Sequence, residues 1–252
     1  MSLEVLKLIA KDKQIFTTND LYEKTKRNKE VLNVVLSRLE NKGYIEKIQK
    51  GKYLIIPLNS EKGKYTLHEF IIGSSIVTPS AISYWSALNY HGLTEQIPST
   101  VFIQTTKRKN KQIVEIFGIK YQIVRVKEEK FFGQKKEWIE DIPIMITDKE
   151  KTIIDCLDMP QYSGGIIEVA KAIKYNSLDY ELISDYAQKI GNIAVIRRLG
   201  YFFDLMDMQH NLPLPKSKKY LRLDPTMPIS GNNNPKWKLI INIDDTIKEE
   251  LE

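Results

Sequence analysis

The chain has 252 residues, of which 42% are hydrophobic, and its 38 basic and 32 acidic residues give a net charge of +6. This length and composition predict a globular protein of two or three modules. No segment approaches the roughly 18 to 20 apolar residues that a membrane-spanning helix needs, and the N-terminus lacks the pattern of a signal peptide. We therefore expect a cytoplasmic protein with no membrane partner. Cys156 is the single cysteine, which excludes an intramolecular disulfide, and its apolar surroundings predict a packed thiol.

The basic charge is concentrated at the N-terminal end. Residues 1–58 contain 12 Lys and Arg against 7 Asp and Glu, a net charge of +5, which leaves +1 for the remaining 194 residues. A local positive patch favours contact with phosphates, because the affinity of a protein for duplex DNA grows with the number of counterions that it releases.

The first 27 residues predict two short helices. Leu6 and Ile9 lie on the apolar face of an amphipathic first helix. Thr17 and Asp20 have the spacing of a capping box, which predicts a second helix over about Thr18–Lys24.

A third helix, Asn28–Glu40, has one apolar and one polar face and ends before Gly43. Its apolar face contains Leu32, Val35, Leu36 and Leu39. Two strands follow, Tyr44–Ile48 and Tyr53–Ile56, joined by the turn Gln49–Lys52. Three helices and a hairpin with a basic tip predict a winged helix-turn-helix DNA-binding domain over residues 1–58. The alternative is a small helical domain that binds protein.

The predicted DNA contacts surround the third helix and the turn of the hairpin. Asn33 can pair with an adenine edge in the major groove, and Ser37, one helical turn further on, can serve several bases. The alternative for Asn33 is a side chain that only faces solvent. Lysines at the turn would contact phosphates. The full set of candidates is Arg27, Asn28, Lys29, Asn33, Ser37, Arg38, Lys50 and Lys52.

Beyond a polar linker at residues 59–65, the pattern predicts a second domain over residues 66–252, so that the whole chain belongs to the α+β class. Its mixed α/β part, residues 66–160, begins with a helix that Thr78 and Pro79 would open and that extends through Tyr90. A helix with a capping box at Thr147 and Glu150 ends this part. Its predicted strands are Val101–Ile103, Gln112–Ile116, Ile119–Val126 and Ile142–Ile146, with Lys107–Lys111 as a hairpin tip.

The remaining part, residues 161–252, is predicted to be mainly helical. Glycines, prolines and caps delimit three helices, Gly165–Lys174, Asp179–Ile190 and Asn192–Met206. A late strand at Trp237–Ile241 is a candidate to pair with the sheet of the middle part.

Catalytic motifs are not evident in the sequence. The three histidines are far apart, and the chain contains no Cys-x-x-Cys, His-Glu-x-x-His or phosphate-binding glycine loop. Asp141, Glu128 and Lys130 could be arranged into a nuclease-like set. Many other charged residues would serve equally well, so the set carries no specific signal. We therefore expect no enzyme, no metal and no cofactor.

Several segments together resemble the AbiEi family of antitoxins. They are Ser86–Thr94, Phe132–Gly133, Ile146–Asp155, Gly164–Gly165, Arg198–Tyr201 and the segment around Trp237. The matches extend from about residue 66 to residue 243, and their order and spacing carry the resemblance. The chain departs from the family at Asp148–Lys151, where relatives often have Pro-Glu-Arg or a similar sequence.

The resemblance implies two activities. An N-terminal winged helix would repress the operon by binding inverted repeats in double-stranded DNA, as a monomer or weak dimer. The C-terminal domain would oppose a toxin of nucleotidyltransferase-like fold, in a type IV system that requires no stable complex between the two proteins. Arg197 and Tyr201, on the predicted polar edge of the Asn192 helix, are candidates for the antitoxin surface. The alternative function is a winged-helix regulator whose C-terminal domain senses a ligand or a partner protein, with no toxin involved.

Overall fold

The computed structural model describes residues 2–11, 13–57 and 59–244, and it gives the chain a mixed α/β fold. The predicted end of the first domain at Leu58 and the last eight residues of the predicted second domain lie outside the described residues.

The N-terminal part contains three helices and a three-stranded antiparallel sheet in the order β1-β3-β2. The helices and the inner face of the sheet enclose a core that includes Phe16, Leu21 and Leu36. The elements are α1 (Ser2–Ala10), β1 (Ile15–Thr17), α2 (Thr18–Thr25), α3 (Lys29–Asn41), β2 (Ile45–Gln49) and β3 (Lys52–Ile55).

Local signals in the sequence account for these boundaries. The hydroxyl of Thr17 accepts a hydrogen bond from the Asp20 amide at 3.1 Å, and the Asp20 carboxylate accepts one from the Thr17 amide at 2.6 Å. This is the predicted capping box, which is confirmed. The predicted third helix is also confirmed, with Asn28 as its N-cap and Gly43 just beyond its C-cap at a φ of +74°.

The middle part is built on a six-stranded mixed sheet in the order β6-β7-β5-β4-β9-β8. The pairs β5–β7 and β4–β9 are parallel, and the other neighbours are antiparallel. The elements are α4 (Glu69–Ile76), β4 (Ala81–Ile82), α5 (Tyr84–Tyr90), β5 (Thr100–Thr105), β6 (Ile113–Ile116), β7 (Ile119–Arg125), β8 (Gln134–Ile139), β9 (Ile142–Thr147) and α6 (Lys149–Asp158).

Three predictions for the middle part are wrong. The helix does not begin at Thr78, because the following residues pair as β4 with both β5 and β9, and α5 begins at Tyr84. Lys107–Lys111 is not a hairpin tip, because β7 lies between β5 and β6. The cap of α6 is Asp148, whose carboxylate accepts the Lys151 amide at 2.7 Å, rather than Thr147.

The C-terminal part has the three predicted helices, followed by a small sheet in the order β10-β12-β11. The late strand is confirmed at Leu239–Ile241, but it pairs with β10 and β11, so its predicted pairing with the middle sheet is wrong. The elements are α7 (Ile166–Tyr175), α8 (Tyr180–Lys189), α9 (Ile193–Leu205), β10 (Leu221–Arg222), β11 (Asn232–Asn234) and β12 (Leu239–Ile241). No helix in the described ranges has the length and apolar character that crossing a bilayer requires.

Two large apolar clusters organise the second domain. One joins α5–α9 to the small C-terminal sheet. The other lies on the six-stranded sheet and is shared with the N-terminal hairpin, through Ile48, Leu54 and Ile56. The N-terminal part and the middle part are therefore packed against each other rather than connected only by residues 59–65.

Candidate nucleic-acid interface

One face of α3 is open to solvent, and the opposite face is buried in the N-terminal core. Asn33 and Ser37 lie on the open face one turn apart, with Lys29 and Arg38 also exposed. Their side chains make no hydrogen bond or ion pair with another described residue. Four of the eight predicted DNA contacts are therefore accessible on this helix.

The open face also has an apolar component. Val31 and Val34 keep 42% and 50% of their surfaces exposed. Apolar side chains in a major groove can contact the methyl group of thymine. Neither valine is among the DNA contacts that the sequence predicts, although both lie outside the apolar face of Leu32, Val35, Leu36 and Leu39.

Arg27 and Asn28 are less free than the four candidates on the open face of α3. The amide oxygen of Asn28 accepts the Val31 amide at 2.9 Å and thereby caps α3. Arg27 is half-buried, and its Nη1 is buried without a hydrogen-bond partner among the described residues. Asn28 therefore has a structural role in starting the helix, and part of the Arg27 guanidinium is withdrawn from solvent.

The two candidate lysines of the hairpin turn, Lys50 and Lys52, lie in different environments. Lys50 is exposed at the tip, as predicted. Lys52 is half-buried and donates a hydrogen bond to the carbonyl of Ser75. Its side chain therefore contacts the second domain. Burial lowers the pKa of Lys52 below its ordinary value of 10.5, and the charge of Lys109 lowers it further. The prediction that Lys52 lies free at the tip is wrong, because the hairpin packs on a helix of the second domain.

That helix is α4, which is not among the elements predicted from the sequence. Its C-terminal carbonyls face the hairpin: Gln49 donates to the Ile76 carbonyl at 3.1 Å, and Lys109 donates to the same oxygen at 3.3 Å. The last carbonyls of a helix lack partners within the helix and carry partial negative charge, so they favour cationic donors. The end of α4 therefore joins the hairpin to the segment after β5.

The candidate antitoxin residues Arg197 and Tyr201 are not on the surface. They are only 1% and 5% exposed. The guanidinium of Arg197 donates to the carbonyls of Lys219 and Lys238 at 2.8 and 3.3 Å, which connects α9 to the chain segments around β10 and β12. The prediction of a polar edge is wrong because the small C-terminal sheet covers that side of α9.

Segments that carry the family resemblance contact one another inside the second domain. The ring of His91 is 2.7 Å from the carbonyl of Thr147, and burial lowers the pKa of that histidine. A Cβ atom on Gly133 would come within 2.8 Å of the Lys151 side chain. These residues contribute to packing, and no group of metal-ligating side chains converges within the described part of the chain.

The fold and its open helix define a mixed α/β protein with a candidate nucleic-acid interface in the N-terminal part. In comparison with known proteins, the sequence matches no protein-family profile and no curated protein. Its fold is similar to the crystal structure of the RV2827C protein from Mycobacterium tuberculosis, with a TM-score of 0.62 and 12% sequence identity over 93% of this chain and 88% of that chain. At this identity the similarity establishes a shared fold that extends over nearly the whole chain.

Proposed function

We propose that the protein is a DNA-binding transcriptional repressor of its own toxin-antitoxin operon and the antitoxin that opposes a nucleotidyltransferase-like toxin. The observation that carries the DNA-binding half is the open face of α3, on which Asn33 and Ser37 have no partners within the described structure. The chain order of three helices and a three-stranded sheet supports a winged helix-turn-helix as the domain that presents this face.

In this proposal α3 enters the major groove and the turn of the hairpin contacts the phosphate backbone. Asn33 and Ser37 choose the base sequence, while Lys29, Arg38 and Lys50 contact phosphates. The resemblance to the AbiEi family implies that the operator consists of inverted repeats. Lys52 has no place in this set, because its ammonium group is bonded to α4.

The antitoxin half rests on the resemblance of residues 66–243 to the AbiEi family. Since Arg197 and Tyr201 are buried, other residues of the second domain must act on the toxin or its target. Cofactors have no part in either proposed activity.

A second candidate function is a winged-helix regulator whose second domain senses a ligand or partner. It is favoured by the attachment of the hairpin to α4 through Gln49 and Lys52. A ligand that displaced α4 would also displace the turn that carries Lys50, so that binding in the second domain would alter contact with DNA.

Asn33→Ala should weaken binding to the true operator by about 1 to 3 kcal/mol and change binding to random-sequence DNA little, because a base contact distinguishes sequences. Lys50→Ala is the matched control, since loss of a phosphate contact should weaken both complexes alike. Both affinities can be measured by fluorescence anisotropy on duplexes from the region upstream of the gene. Equal losses for Asn33→Ala on the two DNAs would show that α3 does not read bases through this residue.

Co-expression tests the antitoxin half. The full chain should restore growth to cells that express a nucleotidyltransferase-like toxin encoded beside it, and the Asn33→Ala variant should restore growth equally well if the activity lies in the second domain. Growth curves and blots for protein abundance give the result. If the full-length chain is abundant but does not restore growth, the antitoxin half of the proposal is wrong. The second candidate function, a regulator with a sensing domain, would then remain.

A further inference from the structure

An open cavity lies in the second domain between the end of α4, the segment before β4 and the strands β8 and β9. Its volume is about 470 Å³ and its walls are mainly apolar, with Phe131, Pro143 and Met145 among the side chains that line it. Cavities of about 300 to 1,000 Å³ with apolar walls and a few polar groups are typical of sites for small organic molecules. We call this one the β8–β9 cavity.

Two polar side chains of β8 line the β8–β9 cavity. Lys136 is exposed, and its ammonium group lies 4.5 Å from the centre of the Trp138 ring. Gln134 has a buried Nε2 atom that finds no hydrogen-bond partner anywhere in the described ranges. A buried donor without a partner costs free energy, which an acceptor on a ligand would recover. The described lining includes no carboxylate, so its only charge is positive.

These features define a class of ligand. Lys136 and Gln134 are two residues apart on a strand, so their side chains project from the same face of the sheet. A carboxylate has two oxygens and can accept hydrogen bonds from both, and the bond from the ammonium group is charge-assisted. The apolar walls favour an aromatic or branched aliphatic body behind that carboxylate.

The β8–β9 cavity adjoins the contact that holds the N-terminal hairpin. Ser74, in the last turn of α4, lines the cavity. The carbonyl of the next residue, Ser75, accepts a hydrogen bond from the Lys52 ammonium group. The carbonyl of Ile76 accepts one from the Gln49 amide at 3.1 Å. A ligand that moves the last turn of α4 would therefore also move the acceptors that hold the hairpin.

We infer that the β8–β9 cavity binds a small carboxylic acid with an apolar body, and that the bound acid weakens DNA binding by loosening the contact between α4 and the hairpin. The effect on DNA rests on the proposed DNA-binding function, whereas binding of the acid can be measured without DNA. Because the two binding events are linked, DNA should weaken the binding of the acid by the same factor.

Phenylacetate is the probe for the site, and phenylacetamide is its neutral analogue of similar shape. In the full chain labelled with ¹³C at the methionine methyl groups, phenylacetate should shift the Met145 resonance, which a Met145→Leu variant assigns. For a ligand of this size the shift should saturate on the order of 1 to 10 mM. Phenylacetamide should bind at least about 5-fold more weakly, because it cannot form the charge-assisted hydrogen bond.

Lys136→Gln should weaken the binding of phenylacetate by about 5- to 10-fold. Lys135→Gln is the matched control, since Lys135 is also exposed but projects from the opposite face of β8. This control should keep the original affinity. A Met145 resonance that does not shift, or equal losses of affinity in the two variants, would overturn the inference.

Fluorescence anisotropy measures the effect on DNA, with a duplex from the region upstream of the gene and sodium chloride added to match the ionic strength of the phenylacetate. Saturating phenylacetate should lower the affinity of the unmodified chain for this duplex by about 5-fold or more. If phenylacetate leaves the affinity unchanged, the inference fails while the proposed DNA-binding function stands. If the chain does not bind duplex DNA even without the acid, the proposed function fails together with the effect on DNA, and the Met145 resonance then decides whether the cavity binds the acid.

Discussion

Lys151→Ala should lower the free energy of unfolding by about 3 to 5 kcal/mol, because it leaves the carboxylate of Asp155 buried without its partner. The two side chains form an ion pair one turn apart on α6 and are 0% and 2% exposed. The ammonium group of Lys151 also lies 4.7 Å from the centre of the Phe132 ring. Chemical denaturation followed by circular dichroism measures the loss.

The cost of this substitution should depend on pH. Burial holds the pKa of Asp155 above its ordinary value of 3.8 even though Lys151 opposes the shift, and removal of Lys151 should raise that pKa further. A carboxyl group with a higher pKa in the folded than in the unfolded state destabilises the fold above both values. The cost should therefore diminish as the pH falls from 7 towards 3.8.

Lys149→Ala is the matched control, since Lys149 is exposed on the same helix. Its effect should stay within about 0.5 kcal/mol at every pH. A Lys151→Ala protein as stable as the Lys149→Ala protein would mean that Asp155 is solvated or finds another cation.

Leu54→Ala should cost about 2 to 5 kcal/mol and should destabilise both parts of the protein together. Leu54 belongs to a strand of the N-terminal hairpin, but its side chain is fully buried in the cluster that the six-stranded sheet shares. We expect a single unfolding transition by calorimetry, shifted to lower temperature as a whole.

Leu36→Ala provides the comparison, because it removes the same side chain from the cluster that lies within the N-terminal part. If the two parts unfold independently, two transitions will be seen, and only the first will move in Leu36→Ala. Two transitions in the unmodified chain would contradict the coupling through Leu54.

The shared cluster also changes what can be expected of a truncated chain. A protein that begins at Lys64 lacks Ile48, Leu54 and Ile56, which cover the apolar side chains of Leu67 and the residues of α4. The charge distribution and the linker composition predict a second domain that is separate from the first. Without these three side chains, however, the truncated chain should be less stable than the same residues are in the full-length protein. Point variants such as Asn33→Ala are therefore better suited to separating the two proposed activities.

Features that depend on neighbouring residues could be predicted from the sequence. The capping box at Thr17, the length of α3 and the three helices after Gly165 follow from side chains within a few residues of each boundary. The accessibility of Asn33 and Ser37 follows from the same helical periodicity.

Features that depend on distant contacts could not be predicted. By its place in the sequence, Lys52 resembles an exposed lysine of a turn. Only the folded structure shows that its ammonium group is hydrogen-bonded to a carbonyl at the end of α4. Arg197 lies on the polar side of its helix by sequence, but carbonyls from distant segments satisfy it in the interior. The strand β8 was missed because lysine, glutamine and glutamate interrupt its apolar pattern, as suits a strand at a sheet edge.

The turn that presents Lys50 is held from two sides. The carbonyl of Gly51 accepts the Thr18 amide at 2.9 Å at the start of α2, and Gln49 and Lys52 are anchored to the end of α4. A segment that is already ordered loses little conformational entropy when it meets its ligand. The hairpin is thus preorganised, and DNA binding should carry only a small entropic penalty for ordering this turn.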